Sequence, residues 1–257
     1  MNIVKKLFIM LVFTSVIFAG CGGNLFEGLS DSDSDAAKKE KAKIALDKGD
    51  YTEAVSLLEE LCGTDTSNLT CDEETQADLA SAYIASATDL DVLRLIDAAE
   101  NAATTEGFTT LSTFLPIDEI NDCVTTPSSC TMQTDIDKAI AILDSLLPDT
   151  VPAEPTDAQK SQYLQLATAA AVDIVVTVGI VSEGLDPDTG LPNAIPTSVS
   201  SADLTNVSNN LGNIVLGLEG AGILDAGISE DIKDIQSDIS TDNTVTETEL
   251  IDYIDSL

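Results

Sequence analysis

The 257-residue sequence contains no histidine and no tryptophan, and aromatic residues make up only 4% of it. Histidine is the commonest general base and the commonest transition-metal ligand, so its absence removes both from this chain. The GxSxG, HExxH, P-loop and GxGxxG motifs are missing too. A carboxylate-dependent hydrolase has no support beyond the abundance of Asp and Glu. The sequence therefore predicts a protein that is not an enzyme.

Basic residues are scarce: 11 Lys and Arg stand against 45 Asp and Glu, which gives a net charge of −34. Such a surface repels nucleic acid and anionic lipid headgroups, so we expect no nucleic-acid partner. The chain is nevertheless 44% hydrophobic, too apolar to be disordered throughout. Five of the basic residues lie in one short segment: Lys38, Lys39, Lys41, Lys43 and Lys48.

The N-terminal segment has the pattern of an export signal. Lys5 and Lys6 precede an apolar run at residues 7–18, and small residues lead to Cys21. A cysteine directly after Ala-Gly resembles the bacterial lipoprotein signal, in which that cysteine receives lipid and becomes the mature N-terminus. The alternative is an uncleaved membrane anchor, although the run is shorter than the roughly 20 apolar residues of a spanning helix. We interpret residues 1–20 as a signal peptide.

The lipoprotein resemblance implies an envelope protein with a palmitate-type lipid anchor on Cys21 and other envelope proteins as partners. The residue after Cys21 is Gly22 rather than aspartate, which is similar to the pattern in lipoproteins exported to the outer membrane in some bacteria. It favours the outer membrane, facing the periplasm or the cell surface, with the inner membrane left open. Residues 21–35 are rich in Gly, Ser and Asp and predict a flexible tether.

Apart from Cys21, four cysteines form two close pairs, Cys62 with Cys71 and Cys123 with Cys130. An even number in an exported chain favours disulfides, and four cysteines allow three pairings. We favour the two local disulfides because each closes a short, turn-rich loop. A metal site is a poor alternative, since the CxxC spacing and the histidines of zinc sites are missing.

The segment after residue 36 has a helical pattern. Gly49 and Asp50 separate one helix from a second, which is apolar at i, i+3, i+4 and i+7 through Ala54, Leu57, Leu58 and Leu61. With Leu79 to Tyr83 in a third helix, this arrangement resembles a tetratricopeptide repeat. The resemblance implies closely paired helices, with Tyr51 and Leu58 filling the space between them.

An internal repeat supports this interpretation. Five apolar positions recur 85 residues later: Ala54, Leu58, Leu61, Leu79 and Ala82 correspond to Ala139, Leu143, Leu146, Leu164 and Ala167. We predict two related helical units, about 42–87 and 127–172, each with an irregular insertion. The alternative is two similar amphipathic helices by coincidence. A further helix is predicted at 89–106, and two short ones within 108–120.

Residues 157–182 are the most apolar after the signal, and core helix, buried strand and membrane span compete there. Asp173 near the middle would cost about 2.5–3.5 kcal/mol in a bilayer. The alanine-rich start and the length favour a buried helix. With helices at 202–218 and 228–236 and a short last one, residues 36–257 form one all-α domain. We predict tetratricopeptide-like hairpins packed as an irregular α-solenoid or bundle.

The C-terminal segment 238–250 resembles an EF-hand calcium loop. Oxygen side chains lie at its first, third and fifth positions and a glutamate at its twelfth. The resemblance implies calcium ligands from the side chains of Asp238, Ser240, Asp242 and Glu249 and from the carbonyl of Thr244. Asn243 replaces the usual glycine, and a helix-capping segment is the alternative. Residues 186–190 are a weaker match to a calcium loop, and a turn is the favoured interpretation of this segment.

The preferred function is a non-enzymatic scaffold for protein–protein interactions, because helical repeats build concave surfaces for partners and catalytic groups are lacking. The alternative function is a calcium-binding structural or sensing lipoprotein that uses residues 238–249.

Overall fold

The computed structural model describes residues 34–88, 116–125, 130–222, 240–241 and 244–256. These residues form eight helices and two strands of two residues, so the prediction of an all-α fold is confirmed for them. The elements are α1 Asp35–Lys48, α2 Tyr51–Cys62, α3 Glu73–Thr88, α4 Ile117–Thr125, α5 Thr131–Leu146, α6 Asp157–Val181, α7 Ser201–Gly220, β1 Ser240–Thr241, β2 Thr244–Val245 and α8 Glu247–Ser256. The predicted helices at 89–106 and 228–236 lie outside the described residues.

The helices pack mostly in the order of the chain. α1 packs on α2, α2 on α3, α3 on α5, α5 on α6, and α6 on α7. The short α4 lies against α6 and α5. The pair α2–α3 belongs to the first predicted unit and the pair α5–α6 to the second, so the contact between α3 and α5 joins the two.

Local capping explains where several helices begin and end. Gly49 ends α1 with a left-handed φ of 79°, and its N–H donates to the carbonyls of Ala45 and Leu46. This conformation favours glycine, as the break predicted at this point requires. Asp72 caps α3, because its Oδ1 accepts from the N–H of Thr75 at 2.9 Å.

The two helix pairs bury corresponding positions. Ala54 and Ala139 are both fully buried, as are Leu58 and Leu143, and Ala82 and Ala167 are buried as well. Leu61 and Leu146 are both half-buried, whereas Leu79 is fully buried and Leu164 is half-buried. The 85-residue periodicity of the sequence is thus matched by a similar pattern of burial.

The helix α6 lies in the core, as the sequence predicts, and the strand interpretation is wrong. Of the helices in the described part, α6 is the one long and apolar enough to span a membrane, yet 61% of its most apolar window is buried inside the fold. It packs against α4, α5 and α7. The backbones of α6 and α7 come close, because Gly217 and Gly220 lie against Tyr163.

A second, smaller apolar cluster holds the C-terminal helix to α7. Val207 and Leu211 of α7 and Leu250 and Ile254 of α8 belong to it. The strands β1 and β2 pair antiparallel, with Ser240 opposite Val245. The start of α8 is therefore fixed against the main body of the fold.

Candidate functional site

The two local disulfides predicted from the spacing are present. Cys62, the last residue of α2, bonds to Cys71, and Cys123 in α4 bonds to Cys130 just before α5. The sulfur of Cys130 also caps α5, since it accepts from the N–H of Gln133 at 3.3 Å. The first disulfide closes the loop between α2 and α3 of the first predicted unit, whereas the second links α4 to the start of α5. The predicted lipidation site, Cys21, lies outside the described residues.

Three of the five clustered lysines face acidic side chains of neighbouring helices. Lys38 lies 2.8 Å from Glu60 of α2, and Lys39 and Lys43 lie 3.2 and 2.9 Å from Glu74 of α3. The hydrogen bonds from Lys43 and Lys39 lower the pKa of Glu74 below its usual value. These lysines attach α1 to the first helix pair, so their charge is balanced within the fold.

The predicted calcium loop is described only in part. Glu249 lies in the first turn of α8, where its Oε2 accepts from the hydroxyl of Thr246 at 2.6 Å and from the N–H of the same residue at 3.2 Å. Because the N–H of Glu249 donates back to Thr246, the two form a capping box.

Ser240 and Thr244 lie in β1 and β2, while Asp238 and Asp242 lie outside the described residues. Within the part of the chain that is described, no three Cys, Asp or Glu side chains are grouped to hold a metal ion. The calcium site stays a prediction.

Residues 186–190 form a turn. Oδ1 of Asp186 accepts from the N–H groups of Asp188 and Thr189, at 2.9 and 2.8 Å. These bonds, the one from Thr189 above all, lower the pKa of Asp186. The turn interpretation of this segment, rather than a second cation loop, agrees with this geometry.

Asp173 is fully buried between α6 and α7. Its Oδ2 accepts from Nδ2 of Asn206 at 2.7 Å and of Asn210 at 2.5 Å, whereas no described residue hydrogen-bonds Oδ1. Burial above all, and then the charge of Asp137, raise the pKa of Asp173 to about 6. The sequence draws attention to this carboxylate because it interrupts an apolar run. The two asparagines, one turn apart on α7, were not predicted.

A groove opens where the two predicted units meet, with a volume of about 460 Å³. It is bordered by α2, α3, α4 and the first turns of α5. Buried residues form its floor, and these are Ala87, Met132 and the Cys123–Cys130 disulfide. Three carboxylates lie along its walls: Glu119, Asp122 and Asp135. We call this feature the acidic groove.

The ionisable side chains that line the acidic groove, among the described residues, are carboxylates. Among the described residues that line it there is no lysine or arginine. Lys138 lies nearby, 3.8 Å from Asp135, but its ammonium group is closer to Glu59, at 3.2 Å. Burial is the main cause that raises the pKa of Asp135, the charge of Glu59 adds to it, and Lys138 opposes it.

Sequence reasoning did not single out the carboxylates of the acidic groove. They are three among 45 acidic residues, and they come from segments that the chain brings together only on folding. Comparison with protein-family models, curated proteins and solved structures gives no match to this chain. A functional assignment therefore depends on the sequence pattern and on the geometry described above.

Proposed function

We propose that this protein is a lipid-anchored envelope protein that acts as a non-enzymatic scaffold for protein–protein interactions. The observation that carries the proposal is the acidic groove, which lies at the junction of two successive helix pairs. Stacked helix pairs leave extended surfaces for binding other proteins. A groove at such a junction is suited to a partner segment.

The tetratricopeptide-like character of the helix pairs is part of the proposal. It is supported by the recurrence of α2–α3 as α5–α6 after 85 residues and by burial of the same positions in both. In each pair, a small alanine at the helix contact permits close approach, and a leucine one turn later fills the space beside it.

The lipid anchor is proposed from the N-terminal pattern alone. Expression with radiolabelled palmitate tests it directly. The wild-type chain should carry label and sediment with membranes, and Cys21→Ser should lose both properties. A wild-type chain without label would refute the anchor, and Cys62→Ser with Cys71→Ser serves as a control that removes cysteines elsewhere.

Chemical cross-linking in intact cells, followed by purification of the tagged full chain, tests the scaffold function. We expect discrete cross-linked species that contain other envelope proteins. Recovery of no protein above the level obtained with an unrelated tagged lipoprotein would contradict the proposal.

A second candidate function is calcium binding by the C-terminal loop. The observation that favours it is the start of α8 at Glu247, inside the predicted loop, which is where a helix leaving the loop is expected. Unfolding should then occur at a higher temperature in millimolar calcium than in EDTA, because a ligand at 100 times its Kd adds about 2.7 kcal/mol.

Glu249→Gln is an informative variant for this test. Glutamine retains the capping box with Thr246, because either side chain serves at that position, but it removes one negative charge from the predicted ligand set. The variant should fold normally and lose the calcium effect. An equal calcium effect in both proteins would exclude this loop as the site.

A further inference from the structure

The acidic groove combines an apolar floor with negatively charged walls. Ala87 and Met132 line the groove, and only 7% and 5% of their surface is exposed. Glu119 and Asp122, on α4, are exposed at one wall, and Asp135, on α5, is half-buried at the other. Met132 gives this floor a flexible side chain, which can adapt to different apolar partners.

Asp135 is the carboxylate whose surroundings favour a further cation. It is partly removed from water, and the nearest ammonium group, that of Lys138, hydrogen-bonds Glu59 instead. Burial above all raises the pKa of Asp135, and the charge of Lys138 only partly offsets this. The ammonium group of Lys138, 3.8 Å from Asp135, is shared with Glu59, so a partly buried carboxylate in this position is stabilised further when a ligand brings a second positive group against it.

We propose that the acidic groove binds a cationic peptide segment of the partner protein, with a Lys or Arg side chain directed at Asp135. A neighbouring apolar side chain of the same segment packs on Met132, Ala87 and the disulfide. This inference rests on the proposed scaffold function and specifies the chemistry of its partner.

Size and charge both agree with such an occupant. The volume of about 460 Å³ lies in the range of roughly 300–1,000 Å³ found for binding pockets, enough for a few side chains but not for a folded domain. The net charge of −34 attracts cationic segments from a distance. The floor of the groove then adds an apolar contact to that attraction.

Fluorescence anisotropy with short labelled peptides tests the inference on the purified full chain. The probe peptide carries one arginine flanked by leucine and methionine. One control peptide has glutamate in place of arginine, and a second has glycine in place of both apolar residues. In about 0.1 M salt, where charges more than roughly 10 Å apart are screened, the probe should bind and both controls should bind at least about tenfold more weakly.

The decisive comparison is between two variants that remove the same charge from the same helix. Asp135→Asn should weaken binding of the probe about tenfold, because a charge-assisted hydrogen bond is lost. The control variant is Asp144→Asn. Asp144 is exposed and lies nine residues further along α5, about 13 Å from Asp135. This variant should change Kd by less than about twofold, since exposed charge pairs contribute little.

Equal weakening by Asp135→Asn and Asp144→Asn would show non-specific attraction to an acidic protein and would overturn the inference. Binding of the glycine-substituted peptide as tightly as the probe would also overturn it, because the groove would then recognise charge alone. Circular dichroism of both variants establishes that they are folded.

The cross-linking experiment separates failure of this inference from failure of the scaffold function. Partners captured equally by wild-type protein and by Asp135→Asn would support a scaffold and refute the groove as its binding site. Binding of the probe that depends on Asp135, without any captured partner, would support the groove and count against the scaffold.

Discussion

The ammonium group of Lys138 lies 4.6 Å from the centroid of the Tyr83 ring, and both side chains hydrogen-bond the same oxygen of Glu59. Tyr83 donates at 2.5 Å and Lys138 at 3.2 Å. The three residues belong to α3, α5 and α2, so the cluster joins the first predicted unit to the second. Burial, followed by the bond to Glu59, raises the pKa of Tyr83, which keeps its hydroxyl protonated as a donor.

Tyr83→Phe should destabilise the protein by about 2 kcal/mol, because it removes a hydrogen bond to a charged acceptor at the contact between the units. Urea unfolding measures the effect. Tyr163→Phe is the matched control, since its hydroxyl donates to the neutral carbonyl of Pro148 at 3.3 Å. We expect about 1 kcal/mol for the control, and an equal or larger loss there would contradict the role assigned to the cluster.

Stability should depend on pH through Asp173. Its pKa in the folded protein, about 6, is above the ordinary value of 3.8. The stabilisation that comes from the neutral carboxyl is therefore fully present below pH 3.8 and is lost as the pH rises through about 6. A difference of about two pKa units corresponds to about 3 kcal/mol.

Urea unfolding of wild-type protein and Asp173→Asn at several pH values between 4 and 7 measures this contribution. As the pH rises from 4 to 7, the free energy of unfolding of the variant should increase by about 2–3 kcal/mol relative to that of wild type. In Asp137→Asn the stabilisation should be lost at a lower pH than in wild type, because the charge of Asp137 helps to raise the pKa of Asp173. Parallel pH profiles for wild type and Asp173→Asn would contradict the prediction.

Substitution by alanine should change the stability of the protein in opposite directions at two glycines of α7. A Cβ at Gly220 would overlap Cγ and Cδ2 of Tyr163, whereas one at Gly212 would meet nothing within 4 Å. Gly220→Ala should therefore destabilise the protein by about 1–3 kcal/mol. Gly212→Ala should stabilise it by about 0.5–1 kcal/mol, because alanine is the better helix former. Thermal unfolding of both variants is the measurement, and a loss of stability in Gly212→Ala would contradict the open space beside that residue.

The disulfide at Cys130 should contribute through its cap as well as its cross-link. Loss of a disulfide that closes a loop this short costs about 2.5 kcal/mol. In a Cys123→Ala background, Cys130→Ser should be about 1 kcal/mol more stable than Cys130→Ala, because serine supplies a cap for α5 and alanine does not. Equal stability of the two variants in urea would show that the cap contributes nothing.

Local patterns in the sequence predicted a large part of this fold. The period of Ala54, Leu58 and Leu61 specifies the face of α2, and the close spacing of the cysteines favours short-range pairing. Both features depend on residues a few positions apart, whose geometry is fixed once a helix or turn forms. The same holds for α6, whose length and alanine content indicate a helix rather than a strand.

The junction between the units was not predicted, and the reason is physical. Glu59, Tyr83 and Lys138 are 24 to 79 residues apart in the chain and meet only through packing of three helices. With 45 acidic residues available, no local pattern indicates that Glu59 rather than a neighbour accepts both bonds. Asp135 in the acidic groove is hidden from sequence reasoning for the same reason.

The attachment of α1 has a mechanical consequence. If the predicted tether is anchored in a membrane, any pull reaches the folded part at Ser34, the residue that caps α1. The pair of Lys38 with Glu60 and the pairs of Lys39 and Lys43 with Glu74 lie at the surface, where salt screens them, and such a pull would load these charged links. Peeling of α1 would expose the buried faces of Ala42 and Ala45 and leave beneath it the helix pair α2–α3, which the Cys62–Cys71 disulfide closes.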